Sequence, residues 1–208
     1  MPKKEVPINH LQNYLPPGTG EAIFSFLHQY KVHLTIAKER KSILGDYRHR
    51  THYENHRISI NGNLNTFSFL ITLLHELAHL VTFEKYGNRV QAHGKEWKII
   101  FGQFLQQFLI KNIFPSDIEK ELIQSLKNPA ASSCAEDALL RVLRKYDKTK
   151  TNQMMVEEIS LNTLFRLKDG RVFQKGEKLR KRFKCIEVAT GKIYLFSPVY
   201  EIELTVMS

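Results

Sequence analysis

"FLITLLHELAHLVTFEKYG", residues 69–87, decides how the rest of the chain is read. From Phe69 to Phe83 it is almost wholly apolar, yet His75, Glu76 and His79 stand in its middle. Polar groups carried into an apolar interior cost free energy unless something pairs with them. On a helix His75 and His79 share one face about one turn apart, and Glu76 lies beside the same edge. The pattern H-E-x-x-H joins two zinc ligands to a glutamate that can take a proton from metal-bound water. Five-residue matches arise by chance, and a lone histidine on an apolar face is ordinarily a core residue. Here the strong apolar helix and a strand-like segment before it favour the metal. A catalytic zinc takes three protein ligands and keeps one position open. His93, in a glycine-bounded loop leading to the next helix, supplies the third. The sequence therefore predicts one Zn2+ per chain on His75, His79 and His93, with Glu76 as general base.

Working outward, "EAIFSFLHQY" (21–30) reads as a helix and "VHLTIAKE" (32–39) as a strand. Residues 44–61 read as a turn, a loop and a second strand near Arg57–Ile60. Asn63 or Asn65 is placed to cap a helix over about 64–86, and Gly87 stops it. Further helices are predicted over 95–110, 115–127 and 135–146, and residues 147–153 read as a polar linker. Beyond it the pattern turns to β, with Asp169-Gly170 and Thr190-Gly191 marking two hairpins. The expectation is an α+β chain: a core over 1–128, a helix and linker over 129–155, and a basic β-rich module over 156–208.

"HRISIN", the stretch around H-E-x-x-H, and "AHGKEW" together resemble the SprT-like family, which includes the Spartan-type proteases of DNA–protein crosslinks. The likeness spans roughly residues 20–110, with His93-Gly94-Lys95-Glu96-Trp97 standing where that family has its downstream histidine. It implies a zincin-like α+β protease core with a small sheet beside the active-site helix. It also implies that His75, His79 and His93 are zinc ligands and Glu76 the general base. The implied function is a zinc metallopeptidase acting on proteins associated with or crosslinked to DNA. The competing reading is a non-enzymatic nucleic-acid-associated factor that keeps zinc for structure. Many bacterial members end in a four-cysteine zinc ribbon. This chain has only Cys134 and Cys185, so its two-hairpin tail is expected to be metal-free.

Charge points the same way. The chain of 208 residues carries a net +10, which suits polyanionic partners. From Arg166 to Lys184 nine basic residues face two acids, a local +7. Arg171, Lys178, Arg180, Lys181, Arg182 and Lys184 are candidate nucleic-acid contacts. Phe165, Phe173, Phe183, Tyr194 and Phe196 lie among or near them, so stacking on single-stranded DNA is expected. Alternatively the strands put charges outward and rings into the core, with no ligand. His49, His52 and His56 read as a solvated polar loop, the alternative being part of the cleft rim or a secondary metal site, and Tyr53 or Tyr86 as candidate oxyanion donors. Two distant cysteines and no apolar leader segment suggest a cytoplasmic protein, and the apolar run reads as too short and too polar to span a bilayer.

Overall fold

A computed structural model describes residues 8–40, 43–50, 55–126, 136–148 and 153–204. It is a mixed α+β chain of two compact units, one ending at Asp147 and the other beginning at Lys148.

The first unit is built around its longest helix. Helices α1 (Ile8–Leu11) and α2 (Gly20–Gln29) precede strands β1 (Val32–Ala37), β2 (Gly45–Arg48) and β3 (His56–Asn61). Then come α3 (Thr66–Tyr86), α4 (Lys95–Ile110), α5 (Ser116–Leu126) and α6 (Asp137–Arg144). Asn65 starts α3: its backbone is extended and its side-chain oxygen accepts from the Ser68 amide at 2.9 Å. Its Nδ2 also donates to the Leu143 carbonyl and to Asp147, which ties the start of α3 to the end of α6. Every residue from Ser68 to Ala78 is buried, because β2 and β3 lie on one side of α3 and α4 on another. A helix apolar on all sides needs such enclosure. By length and composition alone α3 could cross a membrane, contrary to the reading of its sequence, yet 78% of its apolar window is buried within the fold.

The small sheet has the order β1-β3-β2, with β1 parallel and β2 antiparallel to β3. Strand β2 corrects the sequence reading, which gave the residues from Leu44 up to the strand near Arg57 to a turn and loop. Its four residues, "GDYR", carry no apolar alternation, and the pairing with β3 and the packing on α3 make it a strand. Gly45 is what lets β2 come so close. A Cβ there would stand 2.6 Å from Glu76 Oε1 and 2.8 Å from Thr72 Cγ2. His56 also departs from the expected solvated loop: it opens β3 and is buried. The helix α6 places Leu139 and Leu143 in this unit's core, so the unit extends past residue 128, where sequence had set its end.

The second unit is one six-stranded sheet, larger than the two hairpins read from sequence. Its strands are β4 (Gln153–Met155), β5 (Leu164–Arg166), β6 (Val172–Leu179), β7 (Arg182–Glu187), β8 (Ile193–Phe196) and β9 (Glu201–Leu204). They run β4-β9-β5-β6-β7-β8, each antiparallel to its neighbours. Gly170 and Gly191 take positive φ in the two turns foreseen from Asp-Gly and Thr-Gly. The turn that was missed joins β6 to β7 through Arg180 and Lys181, and Arg180 itself adopts φ 50°. The register slips between Lys175 and Lys178, where Gly176 passes against the Lys184 carbonyl. Phe165, Phe173, Phe196 and Cys185 form the unit's core.

Replacing Asn65 with alanine removes the cap and both ties to α6. The variant is expected to lose about 1–2 kcal/mol of stability in the first unit, read as a lower denaturant midpoint by circular dichroism. An unchanged midpoint would mean that packing alone fixes the start of α3.

Candidate metal centre

Helix α3 presents His75 and His79 one turn apart, and the loop before α4 brings His93 to them. His75 Nε2 lies 3.2 Å from His79 Nε2 and 3.3 Å from His93 Nε2. Tetrahedral ligands held about 2.05 Å from a zinc ion stand about 3.3 Å from one another. The three nitrogens are thus spaced as ligands of one ion. Trp97, one turn along α4 from His93, forms the floor. Its ring centre is 4.6 Å from that of His75, 5.3 Å from His79 and 4.8 Å from His93. Trp97 Nε1 and His75 Nδ1 are buried without a partner among the described residues.

Burial, with the neighbouring histidines adding to it, pushes His75 down to about 3 and His79 down to about 4. Burial alone lowers His93. All three rings are therefore neutral near pH 7, the form that can donate a lone pair to a metal. Glu76 is pushed up to about 8, first by burial and then by Asp46, against the opposing pull of Arg40. A dication bound beside it would draw that value down again, because the ion would be the largest local charge.

These groups line a cleft of about 630 Å³. One wall is the β2 segment Gly45–Tyr47, and another is the segment Gly87–His93. Tyr47 lies nearly parallel to His79, at 4° and 6.4 Å between ring centres. Its hydroxyl is 2.9 Å from His56 Nδ1, and His56 Nε2 is 3.2 Å from Glu84 Oε1. A carboxylate only accepts, so Nε2 carries the proton, Nδ1 accepts, and the Tyr47 hydroxyl donates. Burial and then Glu84 push the phenol above its usual range, so it stays neutral. Arg50 closes the chain on the far oxygen of Glu84 at 3.3 Å. Tyr47 is thereby held beside His79.

The far rim is held by Arg40. Its guanidinium donates to Asn61 Oδ1 at 2.8 Å, Ser59 Oγ at 2.9 Å and the Ser59 carbonyl at 3.1 Å. Asn61 Nδ2 in turn donates to the Ile43 carbonyl at 2.9 Å. Sequence reasoning singled out neither Tyr47 nor Arg40. The strand on which Tyr47 sits was the only signal for it, and that strand was not seen. His49 stacks on Phe83 in the cleft wall, 4.5 Å between ring centres. His52 and Tyr53 fall outside the described residues. Tyr86 is partly exposed at the end of α3 and does not line the cleft.

Among known proteins, the model of the SprT-like family matches residues 19–117. These residues are a SprT-like domain. The Protein SprT of Pseudomonas putida is 55% identical over 29 residues, 14% of this chain and 18% of its own length. That of Pseudomonas fluorescens is 49% identical over 37 residues, 17% of this chain and 23% of its own length. The chain thus matches only about a fifth of these relatives' length. No solved structure matches. The trio and Glu76 lie inside the SprT-like segment, while the whole β-rich unit lies outside it.

In that unit the candidate basic residues separate. Arg171 is engaged by Asp169 at 2.9 Å, Arg180 and Lys181 form the β6–β7 turn, and Arg182 and Lys184 face outward on β7. Lys178 lies over the Phe183 ring at 5.7 Å. The rings do not join them at the surface: Phe165, Phe173 and Phe196 are core residues, and Phe183 and Tyr194 pack against them. Strand alternation turns Phe165, Phe173 and Phe196 inward, and Phe183 and Tyr194 stay half-buried against them.

The full chain is expected to bind one divalent ion. Competition with a chromogenic chelator should give a loss of about 10-fold for Tyr47→Ala, which only supports a ligand, and a larger loss for His93→Ala. Equal affinity in His93→Ala and the parent would remove His93 from the site.

Proposed function

We propose that the chain is a zinc-dependent peptidase with a zincin-like core, acting on proteins held at DNA. The observation that carries this reading is the spacing of the three Nε2 atoms, 3.2 and 3.3 Å, in the cleft that also holds the Glu76 carboxylate. When bound, zinc supplies a Lewis acid that polarises a carbonyl oxygen and makes water acidic near pH 7.

The chain's own groups do the rest. Glu76 accepts a proton at a carboxylate oxygen and returns it to the departing amine. Gly45 leaves room for that carboxylate beside β2. The Tyr47–His56–Glu84 chain keeps His79 from turning out of the site. Strand β2 ends its sheet and lines the cleft, so its outer edge offers backbone groups to an extended peptide. This favours a polypeptide over another amide as substrate. In a purely structural zinc site Glu76 would have no task. A buried carboxylate with a raised pKa costs stability, and a site without catalysis gains nothing from keeping it.

The place at DNA rests on the basic unit alone. Arg180, Lys181 and Arg182 project cations at one turn, and they suit phosphates without choosing a sequence. Phe183 and Tyr194, half-buried, are the rings left for a single strand to stack on.

Glu76→Gln is expected to keep the metal and the fold while proteolysis of a denatured protein falls by about 10²–10⁴-fold. Cleavage at the parental, metal-dependent rate would overturn the peptidase mechanism. Reversing Arg180, Lys181 and Arg182 to glutamate is expected to weaken DNA binding for all sequences. The log–log salt slope should shrink by about 2.7 if each contacts one phosphate. Fluorescence anisotropy at several salt concentrations reads both effects.

A further inference from the structure

We propose that the outward face of β6, β7 and β8 is a docking surface for an extended protein segment that is both aliphatic and acidic. Strand pairing defines this face. Gln174 pairs with Ile186, Leu179 with Arg182, Lys184 with Leu195, and Ile186 with Ile193. The alternate pairs, such as Phe183 with Phe196 and Cys185 with Tyr194, point into the unit's core. On the outward side Leu179, Ile186, Val188, Ile193 and Leu195 are each between 40% and 56% exposed. Scattered exposed aliphatics are ordinary, but four on three adjacent strands, with Val188 just past the end of β7, form a patch of the kind that marks an interaction site.

Charge selects the partner. Arg182 and Lys184 alternate with Ile186 along β7, and Val188 follows just past its end; the one exposed carboxylate on the three strands, Glu177, lies in the register slip of β6, outside the paired positions. Neither cation has an acidic partner among the described residues. A segment bringing both carboxylates and aliphatic side chains answers both features. Strand β8 is the last in its sheet, and among the described residues nothing pairs with its second edge. Such an edge is a template for an added strand, with side chains at alternate positions meeting the sheet face.

Two other occupants fit less well. Phosphates would engage the cations at the β6–β7 turn but leave the aliphatics of β8, Ile193 and Leu195, without a counterpart. A second copy of the chain would set Arg182 and Lys184 against cations of the same face, a like-charge contact that costs affinity. The inference does not depend on the peptidase reading. It concerns a face of the second unit, whereas the candidate metal centre lies in the first.

The test uses the full chain carrying Glu76→Gln, so that the probe is not cut. The probe is a fluorescein-labelled ten-residue peptide alternating glutamate with isoleucine. One control has lysine for each glutamate, another has serine for each isoleucine, and a third is labelled single-stranded DNA. Saturable anisotropy is expected for the acidic aliphatic peptide and for neither control peptide. Ile193→Glu and Leu195→Glu, made separately, should each weaken it by roughly 10-fold or more, and Lys184→Glu should also weaken it. Both positions are exposed, and melting curves check that each variant folds. The proposal is overturned if the peptide does not bind, or if binding survives both aliphatic replacements. It is also overturned if only DNA binds and Ile193→Glu abolishes that binding, which would assign the face to nucleic acid. Dimerisation of the parent in sedimentation that Ile193→Glu removes, without peptide binding, would assign it to a second copy.

Discussion

Everything in the first unit depends on placing two imidazoles and a carboxylate inside an apolar helix. Polar groups in that position would destabilise the fold unless they are held where they can be used. Three neighbours do the holding. Helix α4 lays Trp97 under the rings, β2 closes over Glu76 at Gly45, and β3 contributes His56 to fix Tyr47. The sheet and α4 are therefore support for α3 first, and the cleft is what remains between them. This order explains why so short a strand as β2 carries so many of the lining groups.

The two units differ in how each handles charge. In the first, ionisable side chains are paired in series from the buried His56 outward, to Tyr47 on one side and through Glu84 to the exposed Arg50 on the other. In the second, nearly all charges are left outside. Lys175 is an exception: its ammonium is buried, donates to the Ile159 carbonyl at 2.5 Å and lies 4.2 Å from the centre of the Phe183 ring. Burial lowers its pKa, and the carbonyl and the ring face are the partners that make a buried cation tolerable.

Much of this was legible in the chain. The limits of α4 coincide with the apolar pattern, Asn65 caps α3 as its side chain allows, and the three histidines do converge. These features are local or follow a 3.6-residue period, so they can be read from spacing. What was missed depends on distant parts of the chain. "GDYR" becomes a strand only because β3 and α3 are there to receive it. Arg180 turns a hairpin without glycine because β6 and β7 are already paired on both sides of it. The rings of the basic tail were visible, but not the face they would take. A one-residue change of register would have put them outside, and the core of the unit decides the matter.

Gly45 has a consequence beyond its own turn of chain. With no side chain there, the backbone of β2 rests almost on the Glu76 carboxylate and the Thr72 methyl. The hydrogen atom at that position acts as a gauge block between strand and helix: it sets how far apart the two walls stand, and any larger spacer would open the jaw. Cleft width is thus fixed by the smallest residue in the chain rather than by any group that does chemistry. A change there would alter the width of the cleft without touching any of the three histidines: widening it would leave His75, His79 and His93 where they are.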